Sequence, residues 1–311
     1  MRRALVLTVL CLCAIHASQA RAATYYVIVA GLGGEPDYEQ RFTGAANDLD
    51  RVFKAGSESA HVFTLIGTQA NATQLRATMG SVARDAKADD DFVLILIGHG
   101  SFDGVEYKFN LVGPDLTSSE LAELRDRITA RRQLVVNTTS SSGGSVAALE
   151  RPGRAVIAAT KSGTEKNATV FARYWVEALQ DPAADTDKSD SISAMEAFVY
   201  AAKKTAAFYD AQKRLATEHA VFDDVGHGDP VRTQENGQGL LMSSITVVRL
   251  GAGAQASNDP AKRALLEKKE ELEQKIDELK YKKAAMEPED YKQQLTAALV
   301  ELAKVQEELD K

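Results

Sequence analysis

Apolar residues along this chain fall into short unbroken runs separated by amphipathic stretches. The runs Tyr25–Ala30, Val62–Ile66, Phe92–Ile97, Leu134–Asn137, Ala155–Ala159 and Ser244–Leu250 predict strands. Several are continuous rather than alternating, the pattern of strands covered on both faces. Between them, spacings of three and four predict helices over Ala45–Ala55, Ala72–Ala86, Ser119–Ala130, Val170–Gln180 and Ala194–Leu215. The alternation predicts an α/β fold: a mostly parallel six-stranded sheet sandwiched by helices, with ligand chemistry beyond the carboxyl ends of its strands.

The two ends break this pattern. Arg2 and Arg3 precede an apolar stretch, Ala4–Ile15, that is short for a bilayer span, and Ser18-x-Ala20 or Ala20-x-Ala22 then offers small residues at cleavage spacing. Residues 1–22 therefore read as a secretory signal peptide, with an uncleaved anchor as the alternative. The expected domain is 23–250. A small-residue linker follows over 251–262, and 263–311 reads as a helical hairpin of coiled-coil type. Its stripes are Leu265, Leu272, Ile276 and Leu279, then Leu295, Leu299, Leu302 and Leu309, separated by Glu287-Pro288-Glu289. Each stripe needs cover, so the hairpin is expected to self-associate or dock; a single solvated helix is the alternative.

Composition narrows the function classes. The 311 residues are 44% hydrophobic and 26% charged, as expected of a globular chain. Lys and Arg total 37 against 44 Asp and Glu, a net charge of −7, which with no basic block argues against a nucleic-acid partner. Both cysteines, Cys11 and Cys13, lie in the leader. The exported chain, periplasmic or secreted, would then carry no disulfide, thiolate metal site or cysteine nucleophile, and would not span the membrane.

Two strand ends carry candidate chemistry. Phe92–Ile97 runs into Gly98-His99-Gly100, and Leu134–Asn137 runs into Thr138-Thr139-Ser140-Ser141-Ser142-Gly143-Gly144. An imidazole and a hydroxyl cluster thus end two apolar strands. With these, Gly44-Ala-Ala-Asn47-Asp48-Leu49, Gly163-Thr-Glu-Lys-Asn167-Ala-Thr-Val-Phe171 and Thr217-Glu-His219-Ala-Val-Phe-Asp223-Asp224 make the chain resemble the caspase–legumain–gingipain clan of cysteine peptidases over roughly Thr24 to Leu250. The resemblance implies a caspase-like fold in which His99 occupies the place of the catalytic histidine and Ser140 that of the cysteine.

That replacement changes the chemistry. A thiol is readily ionised beside a positive charge, whereas a serine hydroxyl needs a base, usually one oriented by a carboxylate. Asp103 is the acidic residue nearest to His99 in sequence. The expectation is an exported, catalytically degenerate domain that binds or scaffolds a protein or peptide partner, with His99, Asp103, Thr138, Thr139 and Ser140 as contact residues. In the first alternative, Ser140 attacks, His99 is the base and the Gly100 N–H supports the oxyanion. In the second, the hairpin assembles the protein and the globular part is a platform. The hydroxyls equally suit capping of a short helix near Gly144.

One further pattern stands apart. From Asp185, oxygen donors Asp185, Asp187, Ser189, Ser193 and Glu196 fall at positions 1, 3, 5, 9 and 12 of an EF-hand-like calcium loop, with the Ser191 carbonyl at position 7. Asp190 stands where glycine normally supplies a left-handed backbone. The alternative is a solvated connection in which Ser193 and Glu196 form a capping box. Gly31-Leu-Gly33-Gly34 lacks the spacing of a dinucleotide loop, and His61 and His219 have no zinc-ligand spacing.

Overall fold

The computed structural model describes residues 22–311 apart from 57, 228, 235 and 236; the expected leader, all but its last position, lies outside the described residues. Its strands in chain order are β1 Thr24–Ala30, β2 Ala60–Leu65, β3 Asp91–Ile97, β4 Gly100–Phe102, β5 Tyr107–Phe109 and β6 Leu116–Thr117. They continue with β7 Arg132–Asn137, β8 Arg154–Ala158, β9 Ser191–Ser193, β10 Val221–Asp223 and β11 Thr246–Arg249. The helices are α1 Pro36–Gly56, α2 Ala72–Asp85, α3 Ser118–Asp126, α4 Val146–Leu149, α5 Phe171–Ala178 and α6 Ala194–Ala211. Four more complete the chain: α7 Leu240–Ser244, α8 Gly251–Asn258, α9 Pro260–Lys282 and α10 Pro288–Leu309.

The main sheet has six strands in the order β10-β8-β7-β3-β1-β2. Five are parallel; β10 alone runs antiparallel, against β8. The expected strand Ser244–Leu250 does not join it. Its core, β11, pairs with β9 in a separate ribbon, and the sixth place goes to the three-residue β10. Alternate residues of each strand serve opposite cores, which explains the unbroken apolar runs. Tyr26, Ile28, Val93, Ile95, Leu134 and Val136 face α1, α5 and α6; Val27, Val29, Leu94, Leu96 and Val135 face α2, α3 and α4. Leu75, Met79 and Val82 of α2 are fully buried, each worth on the order of 2 kcal/mol.

Helix starts are set by side chains. Asn71 Oδ1 accepts from Gln74 N at 2.9 Å to cap α2, and Thr117 with Glu120 closes a capping box on α3. Asp259 caps α9, with Pro260 in its first turn.

The segment expected as a linker is mostly helical: Gly251–Asn258 forms α8, with Gly253, Ala256 and Ser257 buried. Small residues let this helix lie close to its neighbours rather than leave it loose. The hairpin itself is present. Lys262 Nζ at the start of α9 donates to the Leu309 carbonyl at the end of α10 (2.6 Å), so the two helices run antiparallel. In α9 the buried stripe is Leu266, Lys269, Leu272, Ile276 and Leu279; in α10 it is Ala298 and Val305, leaving Leu299 47% exposed. The hairpin is docked on the body. Arg249 grips Glu270 through two hydrogen bonds (2.9 and 3.1 Å), and buried Lys269 donates to the Ser189 carbonyl at 2.5 Å. No helix among the described residues is long and apolar enough to cross a membrane.

Candidate functional site

The carboxyl ends of β3 and β7 lie side by side, Leu96 paired with Asn137, so the segments beyond them meet. Gly100 makes the meeting close. A Cβ there would lie 2.4 Å from the Tyr107 ring and 2.6 Å from the Ser140 carbonyl, and only glycine fits. Ser140 Oγ accepts from Gly100 N (3.1 Å) and donates to Gly100 O (3.0 Å). The hydroxyl is buried, and its proton is held by a backbone carbonyl rather than by His99.

His99 is half-buried. Its ring meets the edges of Tyr38 and Phe42 from α1, at centroid distances of 4.7 and 5.1 Å. Burial pushes its pKa down; the Gly33 backbone opposes this, Arg41 adds to it and Glu35 opposes it. Asp103, the expected acidic neighbour, faces elsewhere: its Oδ1 accepts from Val105 N (3.0 Å) and Glu106 N (2.9 Å), closing the turn between β4 and β5.

The other hydroxyls form a closed polar network beneath the site. Tyr107 Oη and Thr139 Oγ1 are 2.6 Å apart; Thr139 Oγ1 donates to Asn137 Oδ1 (2.8 Å), and Asn137 Nδ2 donates to Ser145 Oγ (3.0 Å). Burial holds the Tyr107 phenol well above its usual range. Thr138 Oγ1 donates to Leu96 O (2.8 Å), and Thr138 O accepts from Thr169 Oγ1 (2.5 Å). Thr138 and Thr139 thus brace strand ends and are not displayed to solvent. The expected capping of the short helix near Gly144 is not their work, because the 3₁₀ turn Ser142–Ser145 and α4 have no side-chain cap.

Sequence reasoning missed Ser141. It sits between Ser140 and the turn with φ +57°, fully buried, its Oγ without a hydrogen-bond partner among the described residues. Its N–H donates to Glu165 O at 2.8 Å. That contact starts a staple joining two of the motif segments. Glu165 Oε1 meets His219 Nδ1 at 2.5 Å, and Glu218 caps α5 by accepting from Val170 N (2.8 Å) and Phe171 N (3.2 Å). Burial pushes the Glu218 carboxyl up.

The acidic loop lies elsewhere, at the start of α6. Carboxylate oxygens of Asp185, Asp187 and Glu196 come within 4.8 Å of one another. Asp190 takes the left-handed backbone its loop position requires (φ +61°), and Ile192 is fully buried in β9. Ser189 Oγ and Ser191 Oγ are 3.0 Å apart. Ser193 and Glu196 form the capping box of α6 that the alternative reading of this loop expects. Glu196 Oε1 also accepts from Thr186 N (2.8 Å), and burial raises the pKa of Asp185. An all-oxygen donor set of this kind suits a hard divalent cation.

No family model matches the chain, and no curated protein matches it. Among solved structures, a protein from Geobacter sulfurreducens is similar at 13% identity over 75% of this chain and 100% of that chain, with a TM-score of 0.44. Caspase-1 from Spodoptera frugiperda is similar at 11% identity over 66% of this chain and 87% of that chain, with a TM-score of 0.44.

Proposed function

We propose that this chain is an exported caspase-like protein whose site is catalytically silent and holds a polypeptide partner. The observation that carries the reading is the pairing of Ser140 Oγ with both backbone groups of Gly100, which directs the hydroxyl proton away from His99. Two further observations support it: the described residues contain no cysteine, and the Asp103 carboxylate expected behind His99 is held in the turn between β4 and β5 instead. The half-buried imidazole, framed by Tyr38 and Phe42, remains available as a contact for an extended peptide.

The serine-hydrolase reading needs Ser140 to turn from Gly100 to His99. Assembly through the hairpin has less support, because Leu266, Leu272, Ile276 and Leu279 of α9 are already buried, and only Leu299 and Val300 stand exposed among the large apolar residues of α10 described. The same proposal gives the Asp185–Glu196 loop a structural calcium ion, supported by the converging carboxylates and the left-handed Asp190.

Fluorophosphonate labelling of the full chain beside Ser140→Ala tests the silent site. Equal, background labelling is expected; an adduct lost in Ser140→Ala replaces this reading with the hydrolase. Selection from a random peptide display library tests binding: ligands that lose affinity for His99→Ala are expected, and their absence removes the binding role.

A further inference from the structure

The two edges of the main sheet are finished differently. At one edge, β10 is covered: Phe222 N donates to Val231 O (2.9 Å) and Val231 N to Phe222 O (2.8 Å). At the other edge, β2 ends the sheet with no strand beyond it among the described residues. Ser59 O accepts from Thr24 N, so Ser59 turns its backbone groups inward to β1. Because N–H and C=O of one residue share a side and alternate along a strand, His61, Phe63 and Leu65 also point inward. Ala60, Val62 and Thr64 then direct their backbone groups outward. Among the described residues, no hydrogen bond reaches the outward N–H of these three.

Exposed edges are usually guarded by a lysine, a proline, a bulge or an inward charge. The strand Ala60-His-Val-Phe-Thr-Leu65 has none of these, and its register with β1 is continuous. We propose that β2 is the interface of a homodimer, pairing antiparallel with β2 of a second copy about a two-fold axis at Val62. That axis sets Val62 against its own symmetry mate and Ala60 against Thr64, and these outward groups close roughly six N–H···O=C bonds. On the face where His61 stacks on Tyr25 (4.7 Å), the axis sets His61 opposite Phe63 of the second copy, prolonging an aromatic row.

Self-pairing is favoured over a foreign strand by this symmetry and by the area available. A six-residue strand is about 20 Å long. Flanking helices about 10 Å across on each face widen the edge to roughly 30 Å. About 600 Å² per partner results, at the lower limit of stable interfaces, so the dimer is micromolar rather than permanent.

Sedimentation equilibrium of the full chain at about 100 μM, a concentration chosen for a micromolar dimer, tests the interface. The wild type is expected to show a dimer. Val62→Pro removes an outward N–H without touching the ladder to β1, and His61→Lys adds a guarding charge at an exposed position; both are expected to be monomers with unchanged circular dichroism. A monomeric wild type, or a dimer that survives both substitutions, overturns the proposal.

Discussion

Ser140 and Gly100 hold each other in both directions, hydroxyl to amide at 3.1 Å and hydroxyl to carbonyl at 3.0 Å, across the gap between two parallel strand ends. The contact exists because residue 100 lacks a side chain. Gly100→Ala would drive a methyl into Tyr107, the Ser140 carbonyl and Thr139 Oγ1 (2.7 Å). The expected loss is about 3 kcal/mol, the upper range for overpacking, read from a urea unfolding midpoint. An unchanged midpoint would mean that the strand ends are looser than described.

Ser141 stores strain in the same turn. Its left-handed backbone costs a non-glycine residue about 1–2 kcal/mol, and its buried hydroxyl has no partner among the described residues. Ser141→Gly removes both penalties at the expense of a more flexible unfolded chain. A net gain of about 1 kcal/mol is expected, visible as a raised melting temperature. A lower melting temperature would assign the hydroxyl a contact of its own.

Docking of α9 carries a pH dependence. Burial, with Asp187 and Glu270 nearby, pushes the Glu273 carboxyl up to about 7, while Lys269 at 3.6 Å opposes the shift. A raised pKa in the folded state means stability fully present below the unfolded value and lost as pH rises through about 7. Urea titrations across that window are expected to show a loss on the order of 2 kcal/mol. Glu273→Gln cannot ionise and is expected to flatten the profile; an equally steep profile in that variant would place the titration elsewhere.

Calcium binding separates from capping through one substitution. Glu196→Gln keeps a residue able to reach back to the Ser193 N–H, so α6 retains its start, but loses the bidentate carboxylate. Calorimetric titration is expected to give the parent a dissociation constant on the order of 0.1–1 mM and the variant at least about tenfold weaker binding. Identical isotherms would leave the loop as a capping structure alone.

Much of the fold was legible because burial writes itself into sequence period. Strands such as Phe92–Ile97 are apolar throughout since each face meets a different core, and α2 announces itself with the spacing of Leu75, Met79 and Val82. What escaped depends on partners distant in the chain. Val221–Asp223 is too short to show a period, and its pairing with Val156, Ile157 and Ala158 across the sheet makes it a strand. Gly251–Asn258 has a composition that suits a loose connection, and its helix follows from the surfaces it packs on. At the site, the flanking runs placed His99 and Ser140 each at a strand end, and the resemblance implied that the two ends adjoin. The direction of the Ser140 hydroxyl, the aim of Asp103 and the left-handed Ser141 are set by backbone geometry that residue types do not encode.

Lys269 links the far end of the chain to the middle: from α9 it reaches the Ser189 carbonyl, while Arg249, the last residue of β11, grips Glu270. A fragment cut after Leu250 would uncover that carbonyl, strand a guanidinium and bare the surface beneath Leu272 and Ile276. The terminal fifth of the polypeptide therefore acts as a clasp on the α/β body, and shortening it is a change to the body itself.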